Sequence, residues 1–291
     1  MKQVQNETST KIETWKIQSL LNWAIEYLKS KNISEPRLTS ELILSNILNQ
    51  PRIFLYTNFD KELSKNDLSE FKKNILKILD FEPVQYVIGE TSFYGNKIKC
   101  SNEALIPRPE TEILVEKTFE LSKKISGEIR ILDIGTGTGC IAIALKKLVP
   151  HAKIIAIDFK DEILSVAKEN AQKLNLEIDF RKINILNEKI NEKFNFIISN
   201  PPYISTVEYE TLSNSVKNYE PKNSLTDNSN GLTFYNRFAE IFCDMLYDDG
   251  YCLLEHAFNQ REDLLKIFKN FTIVETFNDY SKINRGIIFK K

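Results

Sequence analysis

The chain has 291 residues, 39 basic and 40 acidic side chains, a net charge of −1 and 42% hydrophobic residues. This length favours two domains over one, the balance of apolar and charged residues is that of a globular protein, and near-neutrality argues against a nucleic-acid-binding module. No apolar run approaches the roughly 20 residues needed to cross a bilayer, and the opening MKQVQNETSTKIETW lacks the apolar core of a secretory signal, so a cytoplasmic location without membrane contact is expected.

Residues 1–85 read as helical and are balanced in charge, with 12 basic and 11 acidic side chains. Ile17, Leu20, Leu21, Ala24, Ile25 and Leu28 recur at helical spacing. A second helix is expected from near Ser34, with Pro36 in its first turn, through Leu38, Leu42, Ile43 and Ile47. Ser64 and Asp67 form a capping-box pattern ahead of a third helix, which carries Leu68, Phe71, Ile75 and Leu79 along one face. A neutral bundle of this kind suits protein contact better than catalysis. After Phe81-Glu82-Pro83, two short β-like runs around Gly95-Asn96 suggest a hairpin linker over 86–108. From 109 to 291 helices and strands alternate. Helices are expected over 110–124, 139–148, 161–174 and 232–247, and strands over 129–134, 153–158, 177–183, 194–199, 250–255, 271–277 and 286–290. The alternation predicts an α/β fold with a mostly parallel, doubly wound sheet.

Cys100, Cys140, Cys243 and Cys252 are scattered, with no pair and no neighbouring histidine at metal-ligand spacing, so they read as small core hydrophobes and no metal site or disulfide is expected. Structural roles are expected for His151 and His256. The strand IRILDIG runs straight into glycines and then a helix, the context a nucleotide-type ligand requires. Gly135, Gly137 and Gly139 let the backbone turn tightly and approach such a ligand. The run from Gly137 to Ala142 also satisfies the G-x-G-x-x-A dinucleotide pattern, which keeps an NAD enzyme in view. The next strand ends in Asp158, 25 positions after Asp133, where a carboxylate accepts hydrogen bonds from both hydroxyls of a ribose. Its alternative use, capping the following helix, can be met by Asp161. The run FNFIISNPPY ends in two prolines that cannot donate to a ladder, so the strand stops by Ser199 and Asn200 sits on a stiff turn at a carboxyl end of the sheet. Asn-Pro is also a common turn starter, which is the plainer reading.

Together DIGTGTG, Asp158 and NPPY resemble class I S-adenosylmethionine-dependent N-methyltransferases. The segments PVQYVIGETSFYG, LIPRPETE, YEP at 219–221, GLTFYNRF and LLEHAFNQ resemble the HemK/PrmC family of protein-(glutamine-N5) methyltransferases, over nearly the whole chain from the helical bundle onward. The resemblance implies a Rossmann-like seven-stranded sheet over 109–291, a substrate-recognition bundle over 1–85 and S-adenosylmethionine as cofactor. It further implies a monomer that methylates the glutamine of the Gly-Gly-Gln motif in class I peptide chain release factors, in support of translation termination, with no stable nucleic-acid partner. Carried onto this chain, the cofactor loop falls on Gly135, Thr136, Gly137, Thr138 and Gly139, and the ribose carboxylate on Asp158. Asn184 and Ile185 stand where the family has an acidic residue and an aromatic near the adenine. Asn184 would meet the adenine amine through its carbonyl oxygen and Ile185 would cover the ring by dispersion, so cofactor binding is retained, weakened at most. The substrate-amide motif falls on Asn200, Pro201, Pro202 and Tyr203, with Asn200 shared between cofactor and acceptor. The Asn200 oxygen and Pro201 carbonyl would accept the two amide N–H groups, and Tyr203 would wall the pocket. Arg108, Glu110 and Glu112 would shape the substrate mouth or cap the helix from 110. Ala257 replaces the glycine of a Glu-x-Gly segment. Two other activities share these motifs: methylation of a ribosomal-protein glutamine, and adenine-N6 methylation of nucleic acid, which requires base flipping and a grip on phosphates that the neutral charge does not favour. A cofactor-binding module without catalysis would leave Asn200 unused.

Overall fold

The computed structural model describes residues 14–291 in two compact units that divide between Ile88 and Gly89. The expectation for the opening 15 residues therefore lies, as far as residue 13, outside the described residues. Among the described residues no helix is long and apolar enough to cross a membrane.

The first unit is helical: α1 (Ile17–Ser30), α2 (Pro36–Leu48), α3 (Arg52–Thr57), α4 (Lys65–Leu79) and α5 (Val84–Ile88). Its core is Ile17, Leu20, Ala24 and Leu28 of α1 packed with Ile43, Leu44, Leu55, Phe71, Ile75 and Ile78. The capping box forms at α4, where the Asp67 amide donates to Ser64 Oγ at 3.1 Å and the Ser64 amide donates to Asp67 Oδ2 at 2.9 Å. The second helix begins two residues later than expected, at Pro36, because Glu35 adopts a left-handed conformation (φ 48°) and breaks the chain direction there. Glu41 is buried within α2, and its carboxylate is partnered by Arg52 and Tyr56, as a charge removed from water requires. The short helices α3 and α5 had no sequence signal, since five or six residues carry too little periodicity to show a face.

The second unit opens with the antiparallel hairpin β1 (Glu90–Phe93) and β2 (Asn96–Lys99). A 3-10 turn (Pro109–Thr111) then leads into α6 (Glu112–Ser122), β3 (Arg130–Ile134), α7 (Cys140–Leu148), β4 (Lys153–Asp158), α8 (Asp161–Lys173), β5 (Asp179–Lys182) and β6 (Phe194–Ser199). There follow α9 (Thr206–Glu210), α10 (Asn214–Tyr219), α11 (Thr233–Met245), β7 (Leu246–Glu255), α12 (Arg261–Ile267), β8 (Thr272–Asn278) and β9 (Asn284–Lys290). The large sheet has seven strands in the order β5-β4-β3-β6-β7-β9-β8, parallel through β7 and antiparallel at β9 and β8. Alternate residues of the central strands feed two cores. Ile131, Ala156, Phe196 and Ile198 meet side chains of α6 and α7, while Leu132, Ile155, Ile157 and Ile197 meet the aromatic face of α11. The helices α9, α10 and α12 were not expected, for the same reason of length; β7 starts earlier than expected, at Leu246, and β5 is shorter.

This topology positions one edge. The strand order turns back at β3, which has β4 on one side and β6 on the other, the place where open α/β sheets leave a crevice. Ile134 is in register with Ile157 of β4 and with Ser199 of β6. The next residue on each strand or its exit, Gly135, Asp158 and Asn200, therefore comes to the same carboxyl end.

Candidate active site

A cavity of about 270 Å³ opens at that edge, lined by Gly135, Gly137, Asp158, Ile185, Asn200 and Pro202 together with the segments that flank them. Thr136, Thr138, Asn184 and Pro201 also border it. Asp158 is 7% exposed, and its two oxygens are oriented by backbone donors: the Gly137 amide gives to Oδ2 at 3.0 Å and the Phe159 amide to Oδ1 at 2.8 Å. Burial raises its pKa, and the two amide bonds oppose that shift. Neither Asp158 nor Asp161 gives a side-chain cap to α8. At Gly135 no atom stands within 4 Å of the place a Cβ would take, so bare backbone faces open cavity there. A buried carboxylate that accepts hydroxyls, bare backbone beside it and apolar Ile157, Ile163 and Ile185 around it are the surroundings a nucleoside-bearing cofactor needs.

A second group at this cavity edge is built around Asn200. Its Nδ2 donates to Thr111 Oγ1 at 3.0 Å, and the Thr111 hydroxyl donates to Glu255 Oε2 at 2.7 Å. The Tyr203 hydroxyl donates to the other Glu255 oxygen at 3.2 Å. Burial pushes the Glu255 carboxyl up to about 7, opposed by those two hydroxyl donors and the Arg285 charge. The Asn-Pro-Pro-Tyr turn is clamped from behind: Gln260 Nε2 donates to the Tyr203 carbonyl at 2.8 Å and to the Gly231 carbonyl at 3.2 Å. Gly231 lies so close that a Cβ there would stand 2.3 Å from the Tyr203 oxygen.

Three expected placements differ. Gly139 does not border the cavity; a Cβ at this position would meet Ala167 Cβ at 3.1 Å, so the residue serves the approach of α7 to α8. Tyr203 does not wall the cavity either. The stiff double proline carries the chain past it, the ring packs on the aromatic core beneath, and burial followed by the Glu255 charge raises the hydroxyl pKa. The Asn184 carbonyl oxygen receives the Leu186 amide at 3.2 Å, an Asx turn that engages one face of the group expected at the adenine. Arg108 borders the cavity and grips Glu220 with two contacts at 2.6 and 2.7 Å, whereas Glu112 takes the Tyr94 amide of the hairpin at 2.6 Å. No role was assigned from the sequence to Thr111, Glu255, Phe159, Gly231 or Gln260, although Thr111, Gly231, Glu255 and Gln260 stand within the segments LIPRPETE, GLTFYNRF and LLEHAFNQ that carry the family resemblance. Phe159, beside the cavity, had a signal in its position directly after the strand-end Asp158.

The strand order and the glycine-loop, strand-end carboxylate and Asn-Pro-Pro-Tyr edge define a class I methyltransferase that uses S-adenosylmethionine as methyl donor. Residues 19–89 match the PrmC N-terminal domain family, and residues 109–224 match the methyltransferase small domain family. A release factor glutamine methyltransferase of Fusobacterium nucleatum is 37% identical over 277 residues, covering 94% of this chain and 78% of that protein. The same enzyme of Geobacter sulfurreducens is 33% identical, covering 92% and 93%, and that of Buchnera aphidicola is 37% identical, covering 88% and 93%. The chain belongs to the release factor glutamine methyltransferase family.

Proposed function

We propose that the protein transfers a methyl group from S-adenosylmethionine to the side-chain amide nitrogen of the glutamine in the Gly-Gly-Gln motif of class I peptide chain release factors, acting in the cytoplasm. The relatives named above support the substrate class. The observation that carries the reading is the Asn200 side chain, held through its Nδ2 at the same cavity edge as Asp158. Asp158 would take the ribose hydroxyls, the backbone of Gly135 and Gly137 would lie along the cofactor, and Phe159 and Ile185 would flank its base. The cofactor supplies an electrophilic methyl group on a positively charged sulfur, which keeps its electron pair as a neutral thioether after transfer.

A carboxamide nitrogen is a weak nucleophile because its lone pair is delocalised into the carbonyl. The Asn200 Oδ1 and the Pro201 carbonyl accept its two N–H groups, fix the nitrogen and raise its electron density as the N–C bond forms. The methylated nitrogen then sheds one proton to water. The work is orientation and electrostatics, so the acceptor side requires no strong base. Incubation with methyl-labelled cofactor and separate acceptors tests this: label is expected in an intact class I release factor at its Gly-Gly-Gln glutamine. Label in a ribosomal protein or duplex DNA, with the release factor left unlabelled, would overturn the reading.

A further inference from the structure

We propose that Thr111 and Glu255 are positioning residues for the acceptor amide, because together they decide which edge of the Asn200 side chain faces the cavity. The inference rests on the glutamine-methylating reading above. Three elements converge here: Thr111 from the 3-10 turn before α6, Glu255 from the end of β7, and Asn200 from the exit of β6. Thr111 Oγ1 lies 2.7 Å from Glu255 Oε2 and 3.0 Å from Asn200 Nδ2. A carboxylate can only accept, so the Thr111 hydroxyl gives its one proton to Glu255 and its oxygen is left as an acceptor. Only the NH2 edge of Asn200 satisfies that oxygen. Oδ1 is thereby turned to the opposite edge, where it has no donor among the described residues, on a side chain that borders the cavity. With the amide reversed, the cavity would meet N–H donors, which oppose the N–H groups of an incoming glutamine.

Glu255 is 3% exposed and does not border the cavity, so it acts through Thr111; Thr111, also 3% exposed, borders the cavity, but its hydroxyl is engaged by Glu255 and Asn200 and acts through Asn200. Around Glu255 the Tyr203 hydroxyl donates to Oε1, the Tyr235 hydroxyl donates to the backbone carbonyl at 2.7 Å, the Arg285 charge favours the ionised form, and Glu110 opposes it. The neighbouring His256 ring is turned to the Ala257 carbonyl. Burial pushes the Glu255 carboxyl up to about 7, which makes pH 8 the condition for assay, where the carboxylate predominates.

Thr111→Val keeps the shape and removes the hydroxyl, whereas Thr111→Ser keeps the hydroxyl. With a release factor as acceptor, Thr111→Val is expected to lower kcat about 10- to 100-fold, with acceptor KM and cofactor Kd within about threefold, and Thr111→Ser is expected to recover to within about threefold of the unsubstituted enzyme. A near-normal kcat in Thr111→Val overturns the proposal, and so does an equal loss in Thr111→Ser, which would assign the effect to packing. A second measurement needs neither turnover nor a folded variant: in the unsubstituted, cofactor-free protein, one Asn200 side-chain N–H proton should exchange with water at least about tenfold more slowly than that of an exposed asparagine. Rapid exchange of both protons overturns the proposal. An unsubstituted enzyme that methylates no glutamine acceptor defeats the functional reading instead, and the exchange measurement still judges the positioning.

Discussion

In the proposed reading Asn200 serves the acceptor and Asp158 the cofactor, and the two roles are separable by substitution. Asn200→Ala is expected to reduce methyl transfer on the order of 10²-fold or more while the cofactor dissociation constant stays within a few fold, measured by single-turnover kinetics beside calorimetry. A variant that kept most of its rate would remove Asn200 from the reaction. Asp158→Ala should show the reverse pattern, weakening the cofactor by about 2 to 3 kcal/mol through lost charge-assisted hydrogen bonds. An unchanged dissociation constant would reduce Asp158 to an anchor for the Gly137 and Phe159 amides. Glu255 carries a pH signature of its own. Its folded carboxyl stands at about 7 against an ordinary 4.5, with burial as the main cause. Below 4.5 both states hold the proton; between 4.5 and 7 the unfolded chain has released it and the folded chain has not, so the stability contributed by this group is lost as pH rises through 7. Glu255→Gln removes the titration, and thermal unfolding should show it gaining on the unsubstituted protein between pH 5 and pH 8, by at most about 3 kcal/mol. Asp133, also pushed up to about 7 by burial, is present in both forms and cancels. Parallel stability curves would defeat the assignment.

At the scale of elements, the Asn-Pro-Pro-Tyr turn is stiff from its own sequence and placed by others. Two prolines fix its backbone, but its position is held by Gln260 ahead of α12 and by the close approach of Gly231 ahead of α11. Gly231 has φ +82° in addition to the 2.3 Å contact, so Gly231→Ala meets backbone strain and a clash together. It should lower stability by about 1 to 3 kcal/mol and slow methyl transfer more than it weakens the cofactor, since Tyr203 and Asn200 move and Asp158 does not. Denaturant unfolding with calorimetry checks both halves, and equal effects on acceptor and cofactor would contradict the placement. The capping box at Ser64 and the stop at Pro201 were legible because each is written within a few consecutive residues. Gly139 was read as a cofactor contact because a glycine facing a ligand and a glycine facing Ala167 look alike in one dimension.

At the scale of the whole molecule, every residue bordering the cavity belongs to the unit Gly89–Lys291. A single amide offers little surface to bind, so affinity and selectivity for a protein acceptor fall to contacts remote from the reacting nitrogen. We propose that the helical unit, matched to the PrmC N-terminal domain family, supplies those contacts. Deleting residues 1–88 should leave cofactor affinity within a few fold, slow methylation of an intact release factor by more than about tenfold, and make little difference to a short Gly-Gly-Gln peptide, a poor substrate for both forms. Steady-state kinetics on both enzymes with both acceptors decides it: equal slowing on peptide and protein would mean that the bundle only supports folding.

What followed from the amino-acid order alone was whatever is encoded by neighbours: helical periodicity in the first unit, the strand–helix alternation of the second, and the strand ends at Gly135, Asp158 and Asn200. Those three came together in the fold because parallel register makes strand ends converge, so locating the ends was enough to locate the cavity. The partners that orient Asn200 were decided only by tertiary structure. Thr111 lies 89 positions from Asn200 and 144 from Glu255, and a threonine in a turn or a glutamate at the end of an apolar strand carries no periodic mark of its partner. Their pairing depends on which strands lie side by side and which groups lose water in doing so, and the buried Glu255 carboxyl meets its two hydroxyl donors only once β6, β7 and the turn before α6 have closed around it.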